Sequence, residues 1–153
     1  NPEELSADEL KSRIQAAGIV GMGGATFPTH VKLSPPADKQ IDTLILNGVE
    51  CEPFLTADHR MMLENTEQIL DGIDILRRVL GIERAVIGIE ANKPDAIEKM
   101  TRHAAARNIE VQALEVVRNP AFKRIVGRRG QSGIEQLTLQ IGSIVADSRH
   151  LNQ

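Results

Sequence analysis

DTLILNGVECEP, residues 42–53, opens with a short apolar run between polar residues and closes with a polar turn. That pattern suits a strand buried on both faces, from about Ile41 to Leu46, and puts the turn at the strand's carboxyl end. Beyond it, from Thr56 or Asp58 onward, Met62, Ile69, Ile73, Leu76 and Leu80 fall on one helical stripe that Gly81 stops. RAVIGIE, residues 84–90, reads as a second buried strand. Asn92 is placed to cap a further helix with Lys93 and Pro94 in its first turn, running through Ile97 and Met100 to about Arg107, where Asn108 ends it. IEVQALEVV, residues 109–117, shows the near alternation of a third strand. Strand, helix, strand, helix, strand with right-handed crossovers predicts an α/β domain whose parallel sheet is covered on both faces.

Ahead of the first strand, SADELKSRIQAAG (residues 6–18) reads as a helix with a Ser6–Glu9 capping box and Gly18 as its stop. After Val117 the pattern changes. NPAFKRIVGRRGQSG (119–133) is polar and basic, and GIEQLTLQIGSIVADSRHLNQ (133–153) suits a helix or a helix plus a strand, with a possible disordered tail from 143. The length of 153 residues and the 41% hydrophobic content suit one globular domain. A net charge of −3 gives no global attraction to nucleic acid or to an anionic membrane surface. The basic cluster Lys123, Arg124, Arg128 and Arg129 has only Phe122 beside it, which favours a solvated face or subunit contact over nucleic-acid binding. One cysteine, Cys51, cannot build a disulfide or a multi-thiolate cluster within this chain, and its flanking glutamates disfavour a reactive thiolate. No apolar stretch is long enough to span a bilayer, and the acidic start is unlike a signal peptide.

Two segments stand out for chemistry. In GIVGMGGATFPTHVK (18–32), Gly21, Gly23 and Gly24 let backbone N–H groups come close to a ligand, and Lys32 offers a point charge. Spacing alone leaves two readings open: a tight packing turn, or a cradle for phosphate oxygens. The spacing matches neither common nucleotide fingerprint. In NGVECEP, Asn47, Glu50 and Glu52 cluster past a strand's carboxyl end, where open α/β sheets place ligands; a solvated polar turn is the other reading. Glu50, Glu52, Asp58 and His59 make a weak metal set, and no metal is expected. His30, alone after a proline turn, is expected to be structural, and the Met61–Met62 pair to serve packing.

Taken together, GIVGMGGATFPTHVKL (18–33) and LILNGVECEPFLTADHRMM (44–62) resemble the C-subunit family of Rnf electron-transport complexes, related to the flavin-carrying 51 kDa subunit of respiratory complex I. The resemblance covers residues 1 to about 105. It implies a Rossmann-like three-layer domain over 1–142, with 143–153 as a tail, that binds FMN and accepts hydride from NADH. By the same resemblance, Gly21, Gly23, Gly24 and Ala25 approach the FMN phosphate and ribityl chain, with Lys32 as charged partner. Phe27 stacks on the dinucleotide, Asn47 hydrogen-bonds flavin, and Glu50 and Glu52 line the flavin and nicotinamide side. Hydride passes directly to the flavin, so no protein acid or base is implied. The implied 4Fe-4S clusters lie in a longer chain of which this is the flavin part. The implied partners are other subunits of the complex, at the cytoplasmic side of the plasma membrane without direct insertion. A scaffold domain of the same fold that has lost the flavin is the alternative. Met22 stands where the complex I relatives carry arginine, and Asn47-Gly48-Val49-Glu50 where they carry Asn-Ala-Asp-Glu. The family's later glycine motif falls at RGQSGIEQL (129–137), where Gln131, Gly133, Gln136 and Leu137 agree.

Overall fold

The computed structural model describes residues 2–21, 26–50, 54, 56–115 and 134–140. Helix α1 (Ala7–Ala16) begins at the expected box, with the Glu9 N–H donating to Ser6 Oγ and the Ser6 N–H to Glu9 Oε2 at 2.8 Å. Gly18, at φ +67°, then takes the left-handed conformation that turns the chain away. The stretch that follows is not loop throughout, because Thr29–Lys32 forms one helical turn, α2, behind Pro28.

Strand β1 (Gln40–Gly48) runs two residues further than the apolar pattern predicts, so that Asn47 and Gly48 still pair with a neighbour. Leu44, Ile45 and Leu46 are at most 1% exposed, as expected for a strand covered on both sides. The single helix expected after it is two. Helix α3 (Ala57–Glu64) ends at Asn65 and α4 (Thr66–Leu80) starts at once. The cause is local: the Thr66 hydroxyl donates to the Met62 carbonyl at 2.6 Å, taking an acceptor that a continuous helix would use for its own backbone. The stripe is still buried, with Met62, Ile69, Ile73 and Leu76 at 0% exposure. Gly81, at φ +66°, ends α4.

Strand β2 (Arg84–Glu90) coincides with RAVIGIE. The next helix, α5 (Pro94–Ala104), is capped by Lys93 rather than Asn92, since Pro94 takes the first helical position, where its missing N–H costs nothing. A 3-10 turn at Ala105–Arg107 and Asn108 in the left-handed region deliver the chain to β3 (Glu110–Leu114). Strand β4 (Ile134–Gln140) resolves the open reading of the C-terminal region in favour of a strand there. The basic cluster at 123–129 and the tail from 143 lie outside the described residues.

All four strands are parallel, in the order β3-β2-β1-β4. The fold is Rossmann-like α/β. From β1 the chain steps to β2 and β3 on one side, and β4 returns to the other edge of β1. One face carries Leu44, Leu46, Ala85, Ile87 and Ile89, packed with Leu10 and Ile14 of α1, Leu70 and Ile73 of α4, and Met100 of α5. Alternation puts Ile45, Asn47, Val86, Gly88 and Glu90 on the opposite face.

Charge ties α5 to α4. Arg107 donates to Asp71 at 2.7 Å, to Asp74 at 2.9 Å and to Glu67 at 2.8 Å, while His103 also contacts Glu67. One guanidinium thus satisfies three carboxylates spread over two turns of α4. Replacing Arg107 with alanine is expected to lower unfolding free energy by about 2 kcal/mol. Urea melts at low and high salt check it, the loss shrinking as salt screens the network.

Candidate functional site

The glycine segment is held at its base by two backbone rails. The Thr29 N–H donates to the Ile19 carbonyl at 3.0 Å, the Gly21 N–H to the Phe27 carbonyl at 2.8 Å, and Val20 bridges Pro28 between them. Gly23, Gly24 and Ala25 lie outside the described residues. At the loop's exit Thr26 has φ +47°, an uncommon conformation for a β-branched residue and one that must be held by its surroundings. Phe27 follows it and is 46% exposed. An ideal Cβ placed on Gly21 would lie 3.5 Å from the Phe27 carbonyl oxygen and 3.6 Å from Lys32 Nζ. The ammonium therefore lies against the bare backbone at the loop's base, and no ion pair to Lys32 forms among the described residues. His30 lies on α2, where its carbonyl accepts from the Ser34 hydroxyl.

At the carboxyl end of β1, the Asn47 Oδ1 accepts the Val49 N–H at 3.1 Å. Three residues further, Glu50 is fully engaged. Its Oε2 lies 2.6 Å from Lys93 Nζ, and its Oε1 accepts the Asp58 N–H at 2.8 Å. Lys93 also reaches Glu90 Oε2 at 3.0 Å. The three side chains are 10% exposed (Lys93), 6% (Glu50) and 6% (Glu90), so one cation and two anions sit together out of water. The bond to Asp58 closes the connection from β1 to α3 at its base, and Phe54, within that connection, is fully exposed with φ +68°. A bond between His59 and Asp95 at 2.9 Å, and one from Lys99 Nζ to the Leu63 carbonyl at 2.6 Å, fix α3 against α5. Glu52 and Cys51 lie outside the described residues. Among the described residues no group of three or more histidine, cysteine or carboxylate side chains is arranged to hold a metal.

Sequence reasoning singled out Asn47 and Glu50 but missed Lys93 and Glu90. Their signal is Glu90-x-x-Lys93, a charge pair straddling the end of an otherwise apolar strand, which reads as ordinary helix entry unless the strand next to it is known. Lys32 lies against Gly21. Asn47 lies among the last paired residues of β1 and Glu50 just past them, where the Glu50 carboxylate is committed to Lys93 and to the start of α3.

Burial raises the Glu50 carboxyl, yet the Lys93 ammonium and the N–H groups of Asp58 and His59 outweigh it and hold it below the usual glutamate value. Burial lowers Lys93, and its two carboxylate partners outweigh that and hold it above the usual lysine value. Asp58 moves upward, through burial first and the Glu50 charge second. A depressed carboxyl contributes stability that is complete above its unfolded value and lost as pH falls through the folded one; a raised ammonium contributes stability that is lost only as pH rises through its folded value. The Glu50–Lys93 pair therefore stabilises the fold across the whole span from about pH 5 to about pH 10. Lys93→Met leaves two adjacent buried carboxylates and is expected to cost about 3 kcal/mol at neutral pH. The variant recovers part of that loss near pH 5, as one carboxylate takes up a proton, which urea melts at the two pH values will read.

Known proteins share both the sequence and the fold. The chain is 54% identical over 114 residues to the C component of the proton-translocating ferredoxin:NAD(+) oxidoreductase complex of Clostridium ljungdahlii, a match covering 74% of this chain and 25% of that one. It is 41% identical over 148 residues to the C component of the ion-translocating oxidoreductase complex of Serratia proteamaculans, covering 96% of this chain and 20% of the relative. The chain thus spans about a quarter or less of the length of these relatives. Among solved structures, an air-oxidized NAD+-reducing [NiFe]-hydrogenase superposes with a TM-score of 0.70 at 17% identity, over 97% of this chain and 31% of that one, a likeness of fold. Residues 14–122, well over half of the sequence, match the family described as the Nuo51 FMN-binding domain, and the chain belongs to that family.

Proposed function

We propose that this chain is the FMN-binding, NADH-oxidising region of a membrane-associated, ion-translocating electron-transport complex. The observation that carries the reading is the Lys32 ammonium lying 3.6 Å from where a Gly21 side chain would begin, with no carboxylate partner among the described residues. A cation with no described carboxylate partner, lying against the base of a glycine-rich segment ahead of β1, supports a phosphate site. The residues present fit the group.

In this reading Gly21, Gly23, Gly24 and Ala25 admit the phosphate and ribityl chain, and Lys32 neutralises the phosphate. Asn47 hydrogen-bonds the flavin, Phe27 stacks on the dinucleotide, and Glu50 and Glu52 line the side where flavin and nicotinamide meet. FMN, when bound, supplies the hydride acceptor and the means of passing electrons on singly. The chain's own part is to orient the two rings and exclude water, and no side chain is needed as acid or base. The Clostridium ljungdahlii relative belongs to a complex named for ferredoxin and NAD(+), which supports a nicotinamide dinucleotide as the flavin's hydride partner. Iron–sulfur clusters that exchange electrons with the flavin lie outside residues 1–153. Residues 1–142 form the flavin domain and 143–153 a tail. The complex's other subunits are its partners, and the domain sits peripherally on the cytoplasmic face. In keeping with this, no described helix is long and apolar enough to cross a membrane.

An FMN titration followed by NADH addition tests the reading: uptake with bleaching of the visible flavin band is expected. A folded chain that takes up no FMN overturns it and leaves the flavin-free scaffold. Gly21→Val, which puts methyl groups into the space between backbone and ammonium, is expected to abolish uptake while the fold persists by circular dichroism. Lys32→Met is expected to weaken FMN binding by at least about tenfold. Phe27→Ala should weaken NADH by about tenfold and FMN far less, as separate titrations of the two will show.

A further inference from the structure

Three threonines are buried among the described residues, and their hydroxyls are used differently. That of Thr66 donates to the Met62 carbonyl. Those of Thr29, at 0% exposure, and Thr43, at 2%, have no hydrogen-bond partner among the described residues. A covered hydroxyl without a partner costs free energy that valine, of nearly the same shape, avoids. For Thr43 the fold supplies a reason. A β-branched side chain suits a strand, and Thr43 pairs with Arg84 at the amino end of β2, four residues short of Asn47. For Thr29 it supplies none, because the residue sits in the single turn of α2, where β-branching brings no such advantage.

The position of Thr29 suggests what the hydroxyl is for. Its backbone is fixed at the base of the glycine segment, where the Thr29 N–H donates to the Ile19 carbonyl two residues ahead of Gly21. Three residues on, and so its neighbour along the same turn, is Lys32, whose ammonium lies against Gly21. An unsatisfied donor and a cation thus share one helical turn beside the same bare backbone. A hydroxyl cannot neutralise an anion, but the hydrogen bond it donates to one is stronger than a bond between neutral groups. We propose that the Thr29 hydroxyl completes the phosphate site, donating to a phosphate oxygen of bound FMN next to the Lys32 ammonium. Rotation about χ1 re-aims a threonine hydroxyl without moving the backbone that Ile19 holds. The hydroxyl therefore serves the bound state and weakens the unbound one. The inference rests on the flavin reading above and adds a donor to it.

Thr29→Val, Thr29→Ser and, as a control, Thr43→Val are compared with the parent chain in urea melts without ligand. The same four chains are then titrated with FMN and with riboflavin, which lacks the phosphate. Thr29→Val is expected to shift the folding equilibrium toward the native state by at least about threefold, yet to weaken FMN binding by about tenfold. Its riboflavin binding stays at the parent value. Thr29→Ser keeps FMN affinity within about threefold of the parent. Thr43→Val is stabilised likewise and binds FMN as the parent does. A gain in stability joined to a loss of affinity is a result that a packing role does not produce. A Thr29→Val chain that is less stable than the parent, or does not fold, shows that the hydroxyl has a partner without ligand and overturns the inference. So does unchanged FMN affinity, a loss shared equally by riboflavin, a serine variant as weak as the valine one, or an equal loss in Thr43→Val; in each case the flavin reading stands. A folded parent chain that takes up no FMN overturns that reading and this inference with it.

Discussion

Strand β1 is paired in parallel on both of its edges, to β2 and to β4, and the rest of the molecule is arranged around that double pairing. The connection leaving its carboxyl end turns toward β2, whereas the strand on its other side comes from the far end of the sequence. Connections that diverge in this way mark the strand ends at which open α/β sheets form a crevice. Burial of Leu44, Ile45 and Leu46 on both faces locks the register. A slip of one residue would move Asn47 to the face packed by α1 and α4, where a side-chain amide has no place.

At the carboxyl edge β1 carries Asn47 and Glu50 and the turn after β2 brings Lys93, while the glycine segment runs from α1 to α2. Each of these pieces is fixed by a neighbouring element. The two backbone bonds at 19–29 and 21–27 set the glycine segment, Pro94 sets where α5 begins and so where Lys93 lies, and the ties from α3 to α5 set the far end of the β1 connection. A site assembled this way keeps its geometry through the rigidity of neighbouring elements.

The features that the sequence displays well are those decided by a few adjacent residues. The Ser6–Glu9 box, the left-handed stops at Gly18 and Gly81, the end at Asn108 and the whole of RAVIGIE are all where the local pattern puts them. The break at Asn65 is hidden because the apolar stripe runs through it unbroken, and only the direction of one threonine hydroxyl decides the matter. Ile134–Gln140 is ambiguous because a strand there is stabilised by the free edge of β1, which sequence alone does not show to be free. Most consequential, Glu50 and Lys93 are 43 positions apart, and their meeting follows from the parallel register of β1 and β2. Residue types and spacing therefore single out Asn47 and Glu50 and miss the buried charges that hold Glu50 in place.

The interruption between α3 and α4 has a consequence for how such a domain diversifies. Since α4 begins afresh at Thr66 with its own buried face, everything from the end of β1 to Glu64 forms a cassette bounded by a strand on one side and a helical joint on the other. Because α4 has its own start at Thr66, a change within the β1–α3 connection is not carried into the core along one continuous helix.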